Sequence, residues 1–287
     1  SSVSLIVLGT VQDGGSPHIG CKRDCCSDLF LNPDTQRKVV SLGVVDHEDH
    51  KSFLLEATPD IASQMKSLKK YTGFEQETPH GIFLTHAHIG HYTGLMFLGR
   101  EALGSNQVPV YAMPKMKHFL ESNGPWSQLV TLGNIELKTL KNQQKKVLTP
   151  KLGIVPFTVP HRDELSETVG FKILGPNKSV LFIPDIDKWD KWQENIIEEI
   201  HKVDYAFLDA TFFDGMEINN RDISEIPHPF VIESMELFAR LPAAEKAKIH
   251  FIHFNHTNPL LKAESAARKT VLEKGFQIAD FHQTFGI

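Results

Sequence analysis

Cysteine is scarce in this sequence: the 287 residues include three, and all of them lie between Cys21 and Cys26. Three clustered thiols cannot form the disulfide framework of a secreted protein, and they favour a metal site or a redox site instead. Apolar runs are short as well, and none approaches the roughly 20 residues that a membrane-spanning helix needs. We therefore expect no membrane span.

Positive charge is also in short supply. Lysine and arginine total 30 against 35 aspartates and glutamates, which gives a formal net charge of −5. A large nucleic acid needs a basic surface, so this balance argues against such a partner and favours a small-molecule substrate, which can still be phosphorylated. The sequence begins Ser-Ser, and it leaves the location open between the cytoplasm and, after removal of a signal peptide, the periplasm. A homodimer is left open too.

Strand-like and helix-like segments alternate along the chain, which is 41% hydrophobic and long enough to bury a large core. No linker rich in proline, glycine or serine interrupts it. We predict a single α/β domain over residues 1–287, in two sheet-bearing halves at approximately 1–145 and 146–287. In the first half, the short apolar strand Gly81–Thr85 precedes a helix that we predict over His91–Gly104.

Three closely spaced histidines follow that strand: His86, His88 and His91. In extended backbone His86 and His88 point the same way, and His91 can turn toward the same point from the start of the helix. A lone histidine is usually satisfied by ordinary hydrogen bonds, but three converging imidazoles form a good site for zinc or a similar divalent ion. The spacing therefore predicts a metal site.

Further candidate ligands directly follow other strand-like segments: His161, Asp185 and His253. A carboxylate between two metal ions can bridge them, which a neutral imidazole does poorly. Asp185 is therefore the expected bridge.

Acids outside this set have two interpretations each. Asp13, in a glycine-rich loop, and Asp163, near His161, are candidates for proton transfer, with a solvated loop acid as the alternative. Glu56 and Asp209 end strand-like segments, where they either orient imidazoles or lie at helix N-termini. Histidines in polar contexts, His228 among them, are expected at the surface.

This order of residues, a strand followed by His-x-His-x-x-His and then a later His, Asp and His, resembles the metallo-β-lactamase superfamily over essentially the whole chain. The resemblance implies a four-layer αβ/βα sandwich in which helices flank two mixed sheets, with the metal site at one edge between them. The ligands it implies are His86, His88 and His161 for one metal and His91 and His253 for the other, with Asp185 shared.

Gly90 departs from the family pattern His-x-His-x-Asp-His, in which an aspartate at this position binds the second metal. The glycine removes one negative charge and one oxygen ligand. His91, Asp185 and His253 still suffice for a tetrahedral zinc with an open position. The expectation is therefore one firmly held divalent ion, with zinc the best fit and iron or manganese also suitable, and a second ion that is weaker or absent.

The cysteine loop, together with SFLLEATPDI, YAFLDATFFDG and FIHFNHTNPLL, resembles one branch of the superfamily. That branch contains pyrroloquinoline quinone synthesis protein B and, related to it, the phosphonate-pathway cyclic phosphodiesterases. Its members carry a Cys-x-Cys-x-x-Cys loop that binds a structural zinc, whereas here Arg23 replaces the middle cysteine. The resemblance implies a structural zinc held by Cys21, Cys25, Cys26 and His256, with buried free thiols as the alternative.

The resemblance further implies a metallo-hydrolase that cleaves a small ester, with a phosphodiester favoured, through a metal-bound water. Asp185 would help to hold the nucleophile, and Asp13 or Asp163 would manage the proton. Two alternatives stay open. The quinone-synthesis relatives are thought to be iron-dependent hydroxylases, and a non-catalytic metal-binding protein would account for the missing aspartate at Gly90.

Overall fold

The computed structural model describes residues 1–219 and 221–287, whose strands form two seven-stranded sheets. The strands of the first sheet, in their order across it, are β14 (Thr284–Gly286), β1 (Val3–Gly9), β2 (Ser41–Asp46), β3 (Lys51–Leu55), β4 (Gly81–Phe83), β5 (Val108–Ala112) and β6 (Ile135–Thr139). Those of the second are β13 (Gln277–Ile278), β12 (Ile249–Ile252), β11 (Tyr205–Asp209), β10 (Ser179–Ile183), β9 (Val169–Leu174), β8 (Leu152–Thr158) and β7 (Lys146–Thr149).

The two sheets share one pattern of strand directions. Strands β14, β1, β2 and β3 pair antiparallel, as do β7 to β10, whereas β3 to β6 and β10 to β13 pair parallel. Antiparallel neighbours can be joined by short turns, but parallel neighbours need a longer crossover. It follows that β1, β3 and β4 run in one direction, as do β8, β10, β11 and β12. The carboxyl ends of these strands therefore lie at one edge of each sheet.

Helices connect the strands. The α-helices of the described residues are α1 (Asp24–Leu31), α2 (Ile61–Thr72), α3 (Ile89–Tyr92), α4 (Pro114–Ser122), α5 (Trp126–Thr131), α6 (Ile196–His201), α7 (Val231–Leu237), α8 (Ala243–Lys246) and α9 (Ala266–Glu273). Shorter 3-10 helices span Thr93–Leu98, Trp189–Lys191, Gly215–Ile218, Ile223–Glu225 and Pro259–Leu261. In the described part of the chain, every helix is too short or too polar to cross a membrane.

Successive side chains of a strand enter different layers of the core, because they point to opposite faces of the sheet. Leu5 and Val7 of β1 pack between the sheets with Phe182 and Phe207 of the second sheet. Ile6 instead faces outward, in the cluster that α2, α4 and α5 complete. Helices α6, α7 and α9 cover the outer face of the second sheet in the same way. The predicted four-layer αβ/βα sandwich is confirmed.

The helix predicted over His91–Gly104 is much shorter in the structure. Helix α3 ends at Tyr92, and a 3-10 helix follows it. The amide of Gly94 donates to the carbonyl of Ala57 at 2.9 Å instead of to the carbonyl four residues earlier. A Cβ at Gly94 would lie 2.0 Å from the carbonyl oxygen of Thr58. Close contact with the segment that follows β3 therefore ends the α-helix early.

Candidate metal centre

Side chains with metal-binding atoms converge at the shared carboxyl edge of the two sheets. Strands that run in one direction end at this edge, so the residues that follow them meet there. These residues are Asp13 after β1, His86 and His88 after β4, His91 in α3, His161 after β8, Asp185 after β10 and His253 after β12. The structure thus brings the six ligands expected from the sequence together with Asp13.

The first ligand set comprises His86, His88, His161 and Asp185, whose ligand atoms all lie within 4.8 Å of one another. His86 Nε2 is 3.3 Å from Asp185 Oδ2, and His161 Nε2 is 3.3 Å from Asp185 Oδ1. His88 offers Nδ1, which lies 2.9 Å from His86 Nε2. Bonds of about 2.0–2.1 Å in a tetrahedron separate ligand atoms by about 3.3 Å, so this set has the dimensions of a site for one divalent ion.

The second ligand set comprises Asp13, His91, Asp185 and His253. His91 Nε2 lies 3.2 Å from Asp13 Oδ1 and 3.3 Å from Asp185 Oδ2. His253 Nε2 lies 3.3 Å and 3.4 Å from the same two oxygens. Asp185 belongs to both sets, as a bridging carboxylate would. Asp13, which the sequence suggested for proton transfer, lies among the ligand atoms themselves.

Hydrogen bonds to Nδ1 orient three of the imidazoles, those of His86, His91 and His253. Thr85 Oγ1 donates to Glu56 at 2.8 Å and accepts from His86 Nδ1 at 2.8 Å. Thr211 Oγ1 donates to Asp209 at 2.7 Å and lies 2.8 Å from His253 Nδ1. Each sheet therefore supplies one chain of bonds in the order carboxylate, threonine, histidine, and each chain turns Nε2 toward the centre.

Glu56 also binds His91 Nδ1 directly, and it is fully buried. Glu56 has φ of +75° and His253 has φ of +71°, in the left-handed region that residues other than glycine rarely adopt. Such conformations cost about 1–3 kcal/mol each and persist where the surrounding structure enforces them, often at functional sites. The first residue after β3 and the first after β12 are therefore held in place at an energetic cost.

The electrostatics of the centre suit a cation. Burial lowers the pKa of His86 to about 3, so this imidazole is neutral and its lone pair is available. Burial also opposes charge on His91 and Asp185. Asp13 and Glu56 nevertheless raise the pKa of His91 well above its usual value, so a metal ion that binds this ring must displace its proton. Neighbouring imidazoles hold the pKa of Asp185 well below its usual range. Ionised carboxylates among buried imidazoles are the ligand set that a divalent metal requires.

Two atoms at the heart of the centre lack partners. Asp185 Oδ1 and His253 Nε2 are buried, and neither makes a hydrogen bond to any residue that the structure describes. Buried polar atoms are rarely left unpaired in folded proteins, and a bound ion can satisfy those that are. Both atoms belong to the ligand sets described above. The chemistry of the donors and these two orphaned atoms fit a divalent metal ion.

An open cavity of about 410 Å³ lies over the ligand atoms. Arg162 and His228 line one part of it, and the apolar side chains of Ile89, Tyr92 and Leu165 line another. Ile89 is 60% exposed and Leu165 54% exposed. A small molecule that enters this cavity would therefore meet a cationic wall and an apolar rim on its way to the ligand sets.

His228 does not lie at the surface, as the sequence suggested, but in this cavity, with its side chain 13% exposed. Its Nδ1 lies 2.8 Å from Asp209 Oδ2 and 3.3 Å from Asp185 Oδ1. Burial opposes charge on the ring, but Asp209 and then Asp185 raise the pKa of His228 to about 9. The polar loop around His228 has no motif, and its position after β11 is the one sequence signal that points to the site.

Asp163, the other acid proposed for proton transfer, is exposed and belongs to none of the ligand clusters in the described ranges. It follows His161 in the chain, but its side chain lies outside the two ligand sets. The structure therefore favours the solvated-loop interpretation of Asp163.

A separate cluster joins the N-terminal loop to the segment after β12. Its members are the thiols of Cys21, Cys25 and Cys26 and the imidazole of His256, within 4.8 Å of one another. Cys25 Sγ lies 3.9 Å from each of the other two sulfurs, and His256 Nδ1 lies 3.3 Å from Cys26 Sγ. Zinc–sulfur bonds of about 2.3 Å in a tetrahedron place sulfurs about 3.8 Å apart. The adjacent cysteines thus reach a common point from the first turn of α1.

Comparisons with known proteins agree with this architecture. Residues 51–251 match the family model described as the beta-lactamase superfamily domain. Coenzyme PQQ synthesis protein B of Methylorubrum extorquens (strain PA1) is 24% identical over 306 residues, covering 96% of this chain and 97% of that protein.

Solved structures agree as well. Zn²⁺-bound PqqB from Methylobacterium extorquens superposes with a TM-score of 0.79 at 21% identity, covering 99% of this chain and 100% of that one. A diphosphatase from the PhnP family superposes with a TM-score of 0.68 at 22% identity, covering 99% and 96%. The chain therefore belongs to the metallo-β-lactamase superfamily, and within it the chain is similar to coenzyme PQQ synthesis protein B and to a diphosphatase of the PhnP family.

Proposed function

We propose that this protein is a metal-dependent hydrolase that cleaves a small ester, with a phosphodiester as the favoured substrate. The observation that carries the proposal is the pair of ligand sets, joined by Asp185, beneath an open cavity. A diphosphatase of the PhnP family shares the fold, which supports hydrolysis at a phosphorus centre by analogy. Fold alone does not select a substrate, so the side chains in the cavity must supply the preference.

One ion would be held by His86, His88, His161 and Asp185, and His91, His253 and Asp185 would contribute to a second site. Zinc suits these imidazole-rich sets best, and iron or manganese also fits them. Bound divalent ions supply a hydroxide nucleophile near neutral pH and polarise the ester oxygen on which charge develops. Asp185 would orient the nucleophile through the oxygen that both sets share.

His228 would donate a proton to the leaving oxygen. Asp209 accepts from its Nδ1, which leaves Nε2 as the ring atom available to a substrate in the cavity. A positioned histidine typically contributes about 10²–10⁴-fold to such a step. Arg162 places a permanent positive charge at the rim, which suits an anionic phosphodiester.

The cavity favours a small substrate over a polymer. A volume of about 410 Å³ accommodates a compact organic molecule. The net charge of −5 provides no basic surface for a long nucleic acid. Ile89 and Leu165 at the rim suit an ester that carries an apolar group.

The test is hydrolysis by metal-depleted protein reloaded with Zn²⁺, Mn²⁺ or anaerobic Fe²⁺. The panel contains bis(p-nitrophenyl) phosphate, the corresponding monoester and a chromogenic lactam. We expect turnover of the diester, which the His161→Asn variant should abolish. The matched control is His118→Asn, because His118 is exposed and remote from the ligand sets. No turnover of any ester with any of the three metals would contradict the proposal.

A second candidate, an iron-dependent oxygenase, has one observation in its favour. Three imidazoles and one carboxylate, as in the set of His86, His88, His161 and Asp185, suit iron as well as zinc. Oxygen uptake by the Fe²⁺-loaded protein, without turnover of the ester panel, would favour this candidate over the hydrolase.

A further inference from the structure

We propose that Asp13 is the carboxylate ligand of the second metal and that Gly90 is a glycine so that Asp13 can take this place. The proposal rests on the metal centre described under the proposed function and adds a ligand to it. It replaces the expectation that the second metal is weak or absent, because the second set then has four ligands instead of three.

The two oxygens of Asp13 have different environments. Oδ2 accepts a hydrogen bond from the backbone amide of Gly90 at 2.9 Å. Oδ1 lies 3.2 Å from His91 Nε2 and 3.3 Å from His253 Nε2. One oxygen is therefore anchored to the backbone, and the other is directed at the point toward which two oriented imidazoles converge. This arrangement is expected of a ligand, whereas a proton shuttle needs contact with a substrate.

Gly90 is required for space and not for backbone conformation. It lies in α3 and is not among the glycines with positive φ. A Cβ at position 90 would lie 2.6 Å from Cα, 2.7 Å from Cγ and 2.9 Å from Cβ of Asp13. Real Cβ atoms do not approach other atoms this closely. A side chain at position 90 and the present position of Asp13 therefore exclude one another.

The loop that carries Asp13 is fixed against the segment that carries His253. Val11 bridges Phe254 in parallel, and the amide of Gln12 donates to the carbonyl of Phe254 at 2.8 Å. The amide of Phe254 in turn donates to Thr10. These bonds place Asp13 next to His253 before any metal binds. The carboxylate thus approaches the centre from the β1 loop, although the family pattern places it in the motif itself.

The experiment measures metal content and affinity, so it does not depend on finding a substrate. Wild type, Asp13→Asn and Gly90→Ala are loaded with Zn²⁺, dialysed against a competing chelator and analysed for metal. Asp190→Asn is the control, because Asp190 is an exposed aspartate outside the clusters. Circular dichroism confirms that each variant is folded.

We expect Asp13→Asn to lose about one zinc per chain relative to wild type, or to hold it at least tenfold more weakly. Gly90→Ala should also bind the second ion poorly, because its Cβ would lie 2.6 Å from Cα of Asp13 and must displace the loop that carries the carboxylate. Unchanged zinc content and affinity in folded Asp13→Asn would overturn the proposal and return Asp13 to proton transfer. If folded Gly90→Ala holds both ions as tightly as wild type does, the exclusion between a side chain at position 90 and Asp13 is wrong. Metal binding without hydrolysis would refute the proposed function alone.

Discussion

Replacement of Glu56 by glutamine tests how much the buried support of the centre contributes. Glu56 is fully buried and accepts three hydrogen bonds. Oε1 accepts from the Thr85 amide at 2.8 Å, and Oε2 accepts from the Thr85 hydroxyl at 2.8 Å and from His91 Nδ1. A glutamine side chain has the same shape but only one accepting oxygen. Its amide nitrogen must therefore face a donor.

The magnitude follows from this count. In its best orientation glutamine keeps the two bonds of one oxygen, loses the charge-assisted bond from the Thr85 amide and leaves two donors facing each other. The lost bond is worth about 1.5–3 kcal/mol, and the unsatisfied buried donor costs about 1–3 kcal/mol. We expect the metal-free Glu56→Gln variant to be about 3–5 kcal/mol less stable. The looser His91 ring should also lower metal affinity by about 10–100-fold.

Urea denaturation of the chelator-treated protein measures the stability, and zinc competition measures the affinity. The Glu101→Gln variant is the control, since the Glu101 side chain is 75% exposed. A destabilisation below about 1 kcal/mol together with unchanged zinc affinity would refute the reasoning. It would mean that the three hydrogen bonds to Glu56 contribute less to the free energy of unfolding than their burial implies.

Three further predictions concern other parts of the molecule. His228→Gln should reduce kcat about 10²–10⁴-fold for a diester with an alkyl leaving group, little for p-nitrophenol, and leave metal content unchanged. Cys26→Ser should lower the zinc content by about one equivalent, because it removes one ligand from the cluster of Cys21, Cys25, Cys26 and His256. Burial raises the pKa of Glu217 to about 7, so its stabilising contribution is complete below pH 4.5 and lost as pH rises through 7. The stability of wild type relative to Glu217→Gln should therefore fall by up to about 3 kcal/mol between pH 4.5 and pH 8, measured by urea denaturation at several pH values.

Much of the centre could be predicted because its signals are local. His86, His88 and His91 fall within six positions after an apolar strand, so extended backbone and one turn of helix bring them together. Residues that directly follow strands, such as Asp185 and His253, meet at the carboxyl edge once the strands are parallel. The alternation of segments predicted an α/β domain with two sheet-bearing halves, and the resemblance to the metallo-β-lactamase superfamily implied its four layers.

The rest depends on contacts that leave no local pattern. Asp13 and His91 are 78 positions apart, and no spacing rule links a glycine-rich loop to a histidine motif. The exclusion between Asp13 and Gly90 appears only when the two backbones are seen side by side. His228 lies in a polar loop whose composition favours the surface. Its ring is largely buried because the chain folds it against distant residues such as His161. Helix α3 is also shorter than its sequence suggests because of a long-range contact, in which the Gly94 amide donates to the carbonyl of Ala57.

The two ligand sets at the sheet edge and the cysteine cluster are carried by the same segments of the chain. Asp13 and Cys21 lie on the loop after β1, which leads into α1 with Cys25 and Cys26, and His253 and His256 lie three residues apart on one segment. Cys26 and His256 are separated by 230 positions. An ion in either cluster would therefore link the segment after β1 to the segment after β12. Closing so long a loop strongly restricts the unfolded chain. Stripping the thiol-bound ion should therefore also loosen its neighbour, and the two ions should leave the protein in a linked order although they share no ligand.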